Sequence, residues 1–289
     1  MAVCASHSPT MRVDTADRHG LGFRSGLGEA RRIIERFDPQ LVVIFGSDHR
    51  RAFVDTVPAF SVIAGGQGWG DYGSPEEPFS IASNLAAELA ADLLDHDFDV
   101  AFTRSARLDH GFSLTLLDLL GGIDTEALLP IFVNCATPPL PGATRTGRLG
   151  ARVGCWLSTR DERILYLGSG GLSHSPPSLL QPTTQVLSEG ERLELNRERR
   201  QHAAESIDEH WDRGFLERLG TDDARWLEGF DQSAIDRGGI GANEVRTWIA
   251  TRNALDAPLR TLAYEPVPEW ITGMAVAIGA TNPRTSVGW

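Results

Sequence analysis

The chain has 289 residues, 41% hydrophobic and 23% charged, with a formal net charge of −12. That length buries a full core, and the acidic balance excludes nucleic acid as the main partner, because phosphate binding wants a basic face. No run approaches the roughly 18–20 apolar residues of a membrane span, and "MAVCASHSP" has neither a charged nor a long apolar leader, so a cytoplasmic protein is expected.

Residues 2–6 read as a short strand and 29–37 as a helix stopped by "DP" at 38–39. The continuous apolar run "LVVIF" at 41–45 has the signature of a strand buried on both faces. A strand is expected over 58–64, an amphipathic helix over 81–98, a strand in "VAFTR" and a short helix over 112–121. "LLPIFVNC" reads as a strand closed by the rigid loop "TPPLPG", followed by a helix over 145–159 and a central strand in "RILYLGSG". Residues 188–219 are highly charged and helical, and read as a solvated excursion. A helix over 242–255 places Val245, Trp248, Ile249 and Arg252 at core-facing spacing, a last strand lies in 273–280, and the tail frays. Strands alternating with helices imply one α/β domain: a mostly parallel or mixed sheet flanked by helices, with a helical excursion around 188–235.

Three cysteines (Cys4, Cys135, Cys155) form no disulfide framework and suit a reducing compartment. Every basic side chain is arginine, which excludes Schiff-base chemistry on lysine. The Gly-rich stretch at 20–30 lacks the spacing of a dinucleotide loop, and "GSGGLSHS" is not a nucleophile elbow.

Four histidines stand just after predicted strands: His7, His49, His110 (preceded by Asp109) and His174. In α/β sheets ligands gather at the carboxyl ends of strands, so these imidazoles are candidates for one rim. Imidazole with a carboxylate suits non-haem Fe(II), and the same donors suit catalytic zinc. Each histidine alone is as readily a capping or hydrogen-bonding group; the repetition is what points to a site. His19, His96, His202 and His210 fall in loops or charged helices and read as surface residues.

The order "SHSP", "SDH", "LDHGF", "NCATPPLPG", "LGSGGLSH", "NEVRTWIA" and "PVPEWITG" resembles the class III extradiol ring-cleavage dioxygenases, from about residue 3 to residue 281. The resemblance implies a catalytic domain over 1–281 with a tail at 282–289. It implies Fe(II) held by His7, His49 and Glu244, with Glu269 the rival third ligand. It further implies His174 as base toward a catechol, His110 as acid helped by Asp109, dioxygen as co-substrate, and assembly as a homo-oligomer. The implied substrate is 2,3-dihydroxyphenylpropionate or another 3-substituted catechol, opened to a hydroxymuconic semialdehyde-type acid. A loop arginine, Arg12 or Arg24 among the candidates, is expected to hold any carboxylate on that substituent, and the 11–28 loop to flank it.

Overall fold

The computed structural model describes residues 1–16, 18–124, 127–182 and 187–281. In chain order, β1 (Ala2–Ala5), α1 (Pro9–Val13), α2 (Leu21–Phe37), β2 (Leu41–Gly46), β3 (Phe60–Ile63) and β4 (Gly66–Gly68) come first. Then follow α3 (Ser83–Asp95), β5 (Ala101–Thr103), β6 (Ala106–Leu108), α4 (His110–Leu120), β7 (Leu128–Val133), α5 (Ala143–Leu157) and β8 (Ile164–Ser169). The excursion supplies α6 (Glu189–Glu198), α7 (Arg200–Ala204), α8 (Glu209–Leu219) and α9 (Gln232–Asp236), and the chain closes with α10 (Val245–Leu255), β9 (Arg260–Val267) and β10 (Thr272–Gly279).

Among the described residues, eight strands form one mixed sheet in the order β5-β3-β7-β2-β8-β1-β10-β9. The centre is parallel: β2 pairs with β7 and β8, and β8 with β1. β1 pairs antiparallel with β10, and β10 with β9. This is the expected mixed α/β domain. β4 and β6 form a separate two-stranded ribbon. The tail at 282–289 lies outside the described residues.

Period-two alternation divides the core. Val42 and Ile44 of β2 face a cluster built with α2 and α4, while Leu41, Val43 and Phe45 face a cluster built with α3, α5, α8 and α10. Burial on both faces is why β2 is apolar without interruption. No helix is long and apolar enough to cross a membrane among the described residues.

Two expectations change. The helix expected at 29–37 begins at Leu21, because glycines that read as a loop are contact points. A Cβ on Gly26 would stand 2.4 Å from that of Ala263 in β9, so only glycine lets α2 lie that close to the strand. The 11–28 segment therefore splits into α1, which lines the cleft described below at Thr10 and Val13, and α2, which packs on the sheet.

α10, which carries Glu244 at its N-terminal end, is seated against α5 through small residues. A Cβ on Gly150 would fall 2.0 Å from the Ala250 carbonyl oxygen, and one on Gly154 2.1 Å from that of Ala254. Gly150→Ala is expected to lower stability by about 1–3 kcal/mol through overpacking, or roughly 2–10 °C in Tm. Gly28→Ala, on the exposed face of α2 with nothing within 4 Å, is expected to raise stability by about 0.5–1 kcal/mol. Thermal unfolding reads both; an unchanged Tm for Gly150→Ala would contradict the close seating of α10.

Candidate active site

β1, β2 and β8 lie side by side and parallel, so the segments leaving them emerge at one rim. His7 leaves β1, His49 leaves β2 and His174 leaves β8. His110 arrives differently: it opens α4, which Asp109 caps by accepting from the Gly111 N–H at 2.9 Å. Ligating atoms of His7, His49 and His110 all lie within 4.8 Å of one another. His49 and His110 stack at 4.0 Å between ring centroids, and His7 meets both edge-on at 5.4 and 5.5 Å.

Glu244 enters this group from a 3-10 turn that runs into α10. Its Oε1 lies 2.7 Å from His49 Nε2 and 3.9 Å from His7 Nε2. Ser47 Oγ donates to Oε1 at 3.1 Å, and the Gly171 N–H donates to Oε2 at 2.5 Å. The strand-end glycines thus have a steric reason: a Cβ on Gly170 would stand 2.7 Å from the Glu244 Cβ. Glu269 is elsewhere, half-exposed, with a carboxylate oxygen 3.7 Å from His19.

Both Nδ1 atoms are tied back, leaving Nε2 to face Glu244. His7 Nδ1 is 3.0 Å from Ser169 Oγ, which is 2.7 Å from Thr115 Oγ1. His49 Nδ1 is 3.1 Å from Asp109 Oδ2, which also accepts from the His49 N–H at 2.9 Å. This anchoring at the far nitrogen orients metal-binding imidazoles. Asp109 therefore serves His49. The carboxylate against His110 is Asp71, 2.5 Å from Nδ1, whereas Asp109 is 3.9 Å away. Arg51 bridges Asp71 and Asp109 at 3.0 and 3.2 Å.

Burial would strip the charge from His49, but Asp109 and Glu244 outweigh it and push its pKa up to about 10. Burial holds His7 down at about 3, as an acceptor. Burial also opposes charge on Glu244, yet His7, His49 and His174 keep it well below the usual carboxylate range. Two imidazole nitrogens and an ionised carboxylate thus converge where positive charge is favoured, and a divalent metal suits this donor set in place of the His49 proton.

His174 lines the same cleft as His7, His49 and His110. Its Nδ1 lies 2.8 Å from the Leu172 carbonyl oxygen; since a carbonyl only accepts, Nδ1 carries the hydrogen and Nε2 the lone pair. Burial lowers its pKa, keeping it neutral. The ring fits between glycines: a Cβ on Gly241 would stand 2.3 Å from its Nε2, and one on Gly171 2.7 Å from its Cε1. Asp212 of α8 braces the loop, accepting from Ser173 N–H at 2.7 Å, Ser173 Oγ at 2.9 Å and Tyr264 OH at 2.8 Å. Ser169, bound to His7 and Thr115, is no free nucleophile.

The four histidines line one cleft, with Tyr72, Leu193, Trp270 and Ile271 among its other walls. Tyr72 and Ile271 hold left-handed backbone, at φ 50° and 55°, a conformation unusual for bulky residues and frequent at functional sites. His96, His202 and His210 are exposed as expected, whereas His19 is half-buried, 2.8 Å from Asp14. Sequence reasoning passed over Asp71, Arg51 and Asp212; the only cue to Asp71 was its place between glycines in "GDYG", where Gly70 and Gly73 have positive φ.

Curated relatives named 2,3-dihydroxyphenylpropionate/2,3-dihydroxicinnamic acid 1,2-dioxygenase are similar over almost their whole length. The one from Mycolicibacterium paratuberculosis is 34% identical, covering 94% of this chain and 96% of its own. The one from Paraburkholderia xenovorans is 37% identical, covering 84% and 85%. A solved structure of an uncharacterized protein from Escherichia coli K12 shares the fold, with a TM-score of 0.58 at 15% identity over 96% of this chain and 99% of that one. The family described as the catalytic LigB subunit of aromatic ring-opening dioxygenase matches residues 1–275. That span takes in all four cleft histidines and Glu244, and the chain belongs to this family of ring-cleaving dioxygenases.

Proposed function

We propose that the chain is an Fe(II)-dependent extradiol dioxygenase acting on a catechol with a short substituent beside its hydroxyls, of the 2,3-dihydroxyphenylpropionate type. Residues 1–281 form its catalytic domain, working in the cytoplasm as a homo-oligomer. The observation that carries this reading is the buried convergence of His7 and His49 on Glu244, where His7, His49 and two further imidazoles line one cleft. His7 Nε2, His49 Nε2 and the Glu244 carboxylate would hold the iron. When bound, iron supplies positive charge that favours an ionised catechol and an electron path between ring and dioxygen.

The protein's own groups manage orientation and protons. His174 Nε2 accepts the proton of a catechol hydroxyl, because its Nδ1–H is committed to Leu172. His110 donates a proton to an oxygen as the ring opens, and the Asp71 carboxylate at its Nδ1 stabilises the protonated imidazole beforehand. Asp109 fixes the ring plane of His49. Burial of these imidazoles keeps water from competing for the protons. Both oxygen atoms enter a ring-opened semialdehyde acid.

His174→Ala is expected to retain iron and lose about 10²–10⁴-fold in kcat, read as oxygen uptake and visible absorbance with 2,3-dihydroxyphenylpropionate. Normal turnover in this variant would refute the base assignment. Adding Fe(II) anaerobically is expected to raise Tm by mass action, by roughly 2.7 kcal/mol of stability at a hundredfold excess over Kd. Glu244→Ala is expected to abolish that shift, while Glu269→Ala keeps it; the reverse pattern would assign the third donor to Glu269.

A further inference from the structure

The cleft contrasts with the chain around it. The molecule carries 39 acidic residues and 27 basic ones, yet the cleft lining includes Arg51, Arg192, Arg197 and Arg200 and no aspartate or glutamate. Three of these arginines are committed. Arg51 is held by Asp71 and Asp109. Arg192 donates to the carbonyl oxygens of Leu187, His49 and Arg50. Arg197 is paired with Glu194. Arg200 is exposed at the cleft, without a hydrogen-bond or ion-pair partner among the described residues.

Leu193, Asn196 and Arg197 share one face of α6, at i, i+3, i+4 spacing, and Arg200 opens α7 after the break at Arg199. All four line the cleft. Asn196 Oδ1 is buried with no hydrogen-bond partner, an uncommon state for a polar atom. The other amide atom, Nδ2, is the one left to meet a ligand, as a donor. Arg200 follows Asn196 by four residues, and both line the same cleft. Leu193, nearer the anchored Arg192, supplies an apolar wall before the polar pair.

We propose that Asn196 and Arg200 form a subsite for a carboxylate at the outer end of the substrate's substituent, with Leu193 against the intervening carbons. One free guanidinium plus one neutral amide matches a planar, singly charged, two-oxygen group. The proposal rests on the catechol reading above. It also replaces the expectation for Arg12 and Arg24. Arg12 is 2.5 Å from Asp118, Arg24 donates to the His19 carbonyl at 3.1 Å and lies over Trp270, and neither lines the cleft.

The test measures binding to the iron-loaded protein without oxygen, by calorimetric titration with 2,3-dihydroxyphenylpropionate and with uncharged 3-propylcatechol. Oxygen uptake with both compounds follows. Arg200→Leu is expected to weaken binding of the carboxylate compound about 10- to 100-fold, with 3-propylcatechol within about twofold and kcat retained. Asn196→Leu is expected to act in the same direction, and Arg200→Lys to restore part of the loss. Equal weakening toward both compounds, no weakening toward either, or a wild-type protein that binds neither would overturn the subsite. Failure of the catechol reading looks different: the wild type binds the carboxylate compound selectively, Arg200→Leu removes that selectivity, and oxygen is never consumed.

Discussion

A single buried carboxylate organises this molecule. Glu244 stays ionised away from water, which is costly unless each oxygen is met by a donor or a positive charge. The compensation comes from three directions: His49 beyond β2, the Gly171 amide beyond β8, and Ser47, with His7 of β1 close by. Those segments share a rim only because their strands are neighbours in the parallel centre of the sheet. Glycine at 170 lets the turn carrying Glu244 approach the end of β8. The seating of α10 on α5, through Gly150 and Gly154, sets how far that turn advances. Sheet order, glycine placement and helix packing all serve one charge.

Much of this is legible in the chain alone. His7, His49 and His174 each follow a strong apolar run, and strand ends are where α/β proteins place ligands. Glu244 was not legible on its own, because nothing local separates it from the other acids of the chain; only resemblance to a family singled it out. Asp71 and Asp212 act through partners distant in sequence, His110 and Ser173, so no spacing rule reaches them. The start of α2 was obscured for a similar reason: Gly26 faces Ala263, a residue of β9 far along the chain. β9 escaped notice too, since Pro266 and Glu265 interrupt its pattern, and an edge strand tolerates both.

The charged stretch at 188–219 carries a different lesson. Its composition describes a solvated surface, and most of its side chains are in water. A few are not: Arg192 and Asp212 are buried, the first gripping backbone beyond β2 and the second bracing the loop of His174. Composition averaged over a segment hides such individuals. A helix can look like periphery and still roof a site.

The grip of Arg192 has a mechanical side. Its guanidinium holds the carbonyl oxygens of His49 and Arg50, so α6 is fastened to the backbone of the segment that presents His49. Swinging that roof outward breaks hydrogen bonds worth about 1.5–3 kcal/mol each when a charged group takes part. The same movement pulls on the backbone of His49. The position of α6 and the backbone position of His49 are therefore coupled. A helix fastened in this way transmits its own displacement to a histidine through the backbone that presents it.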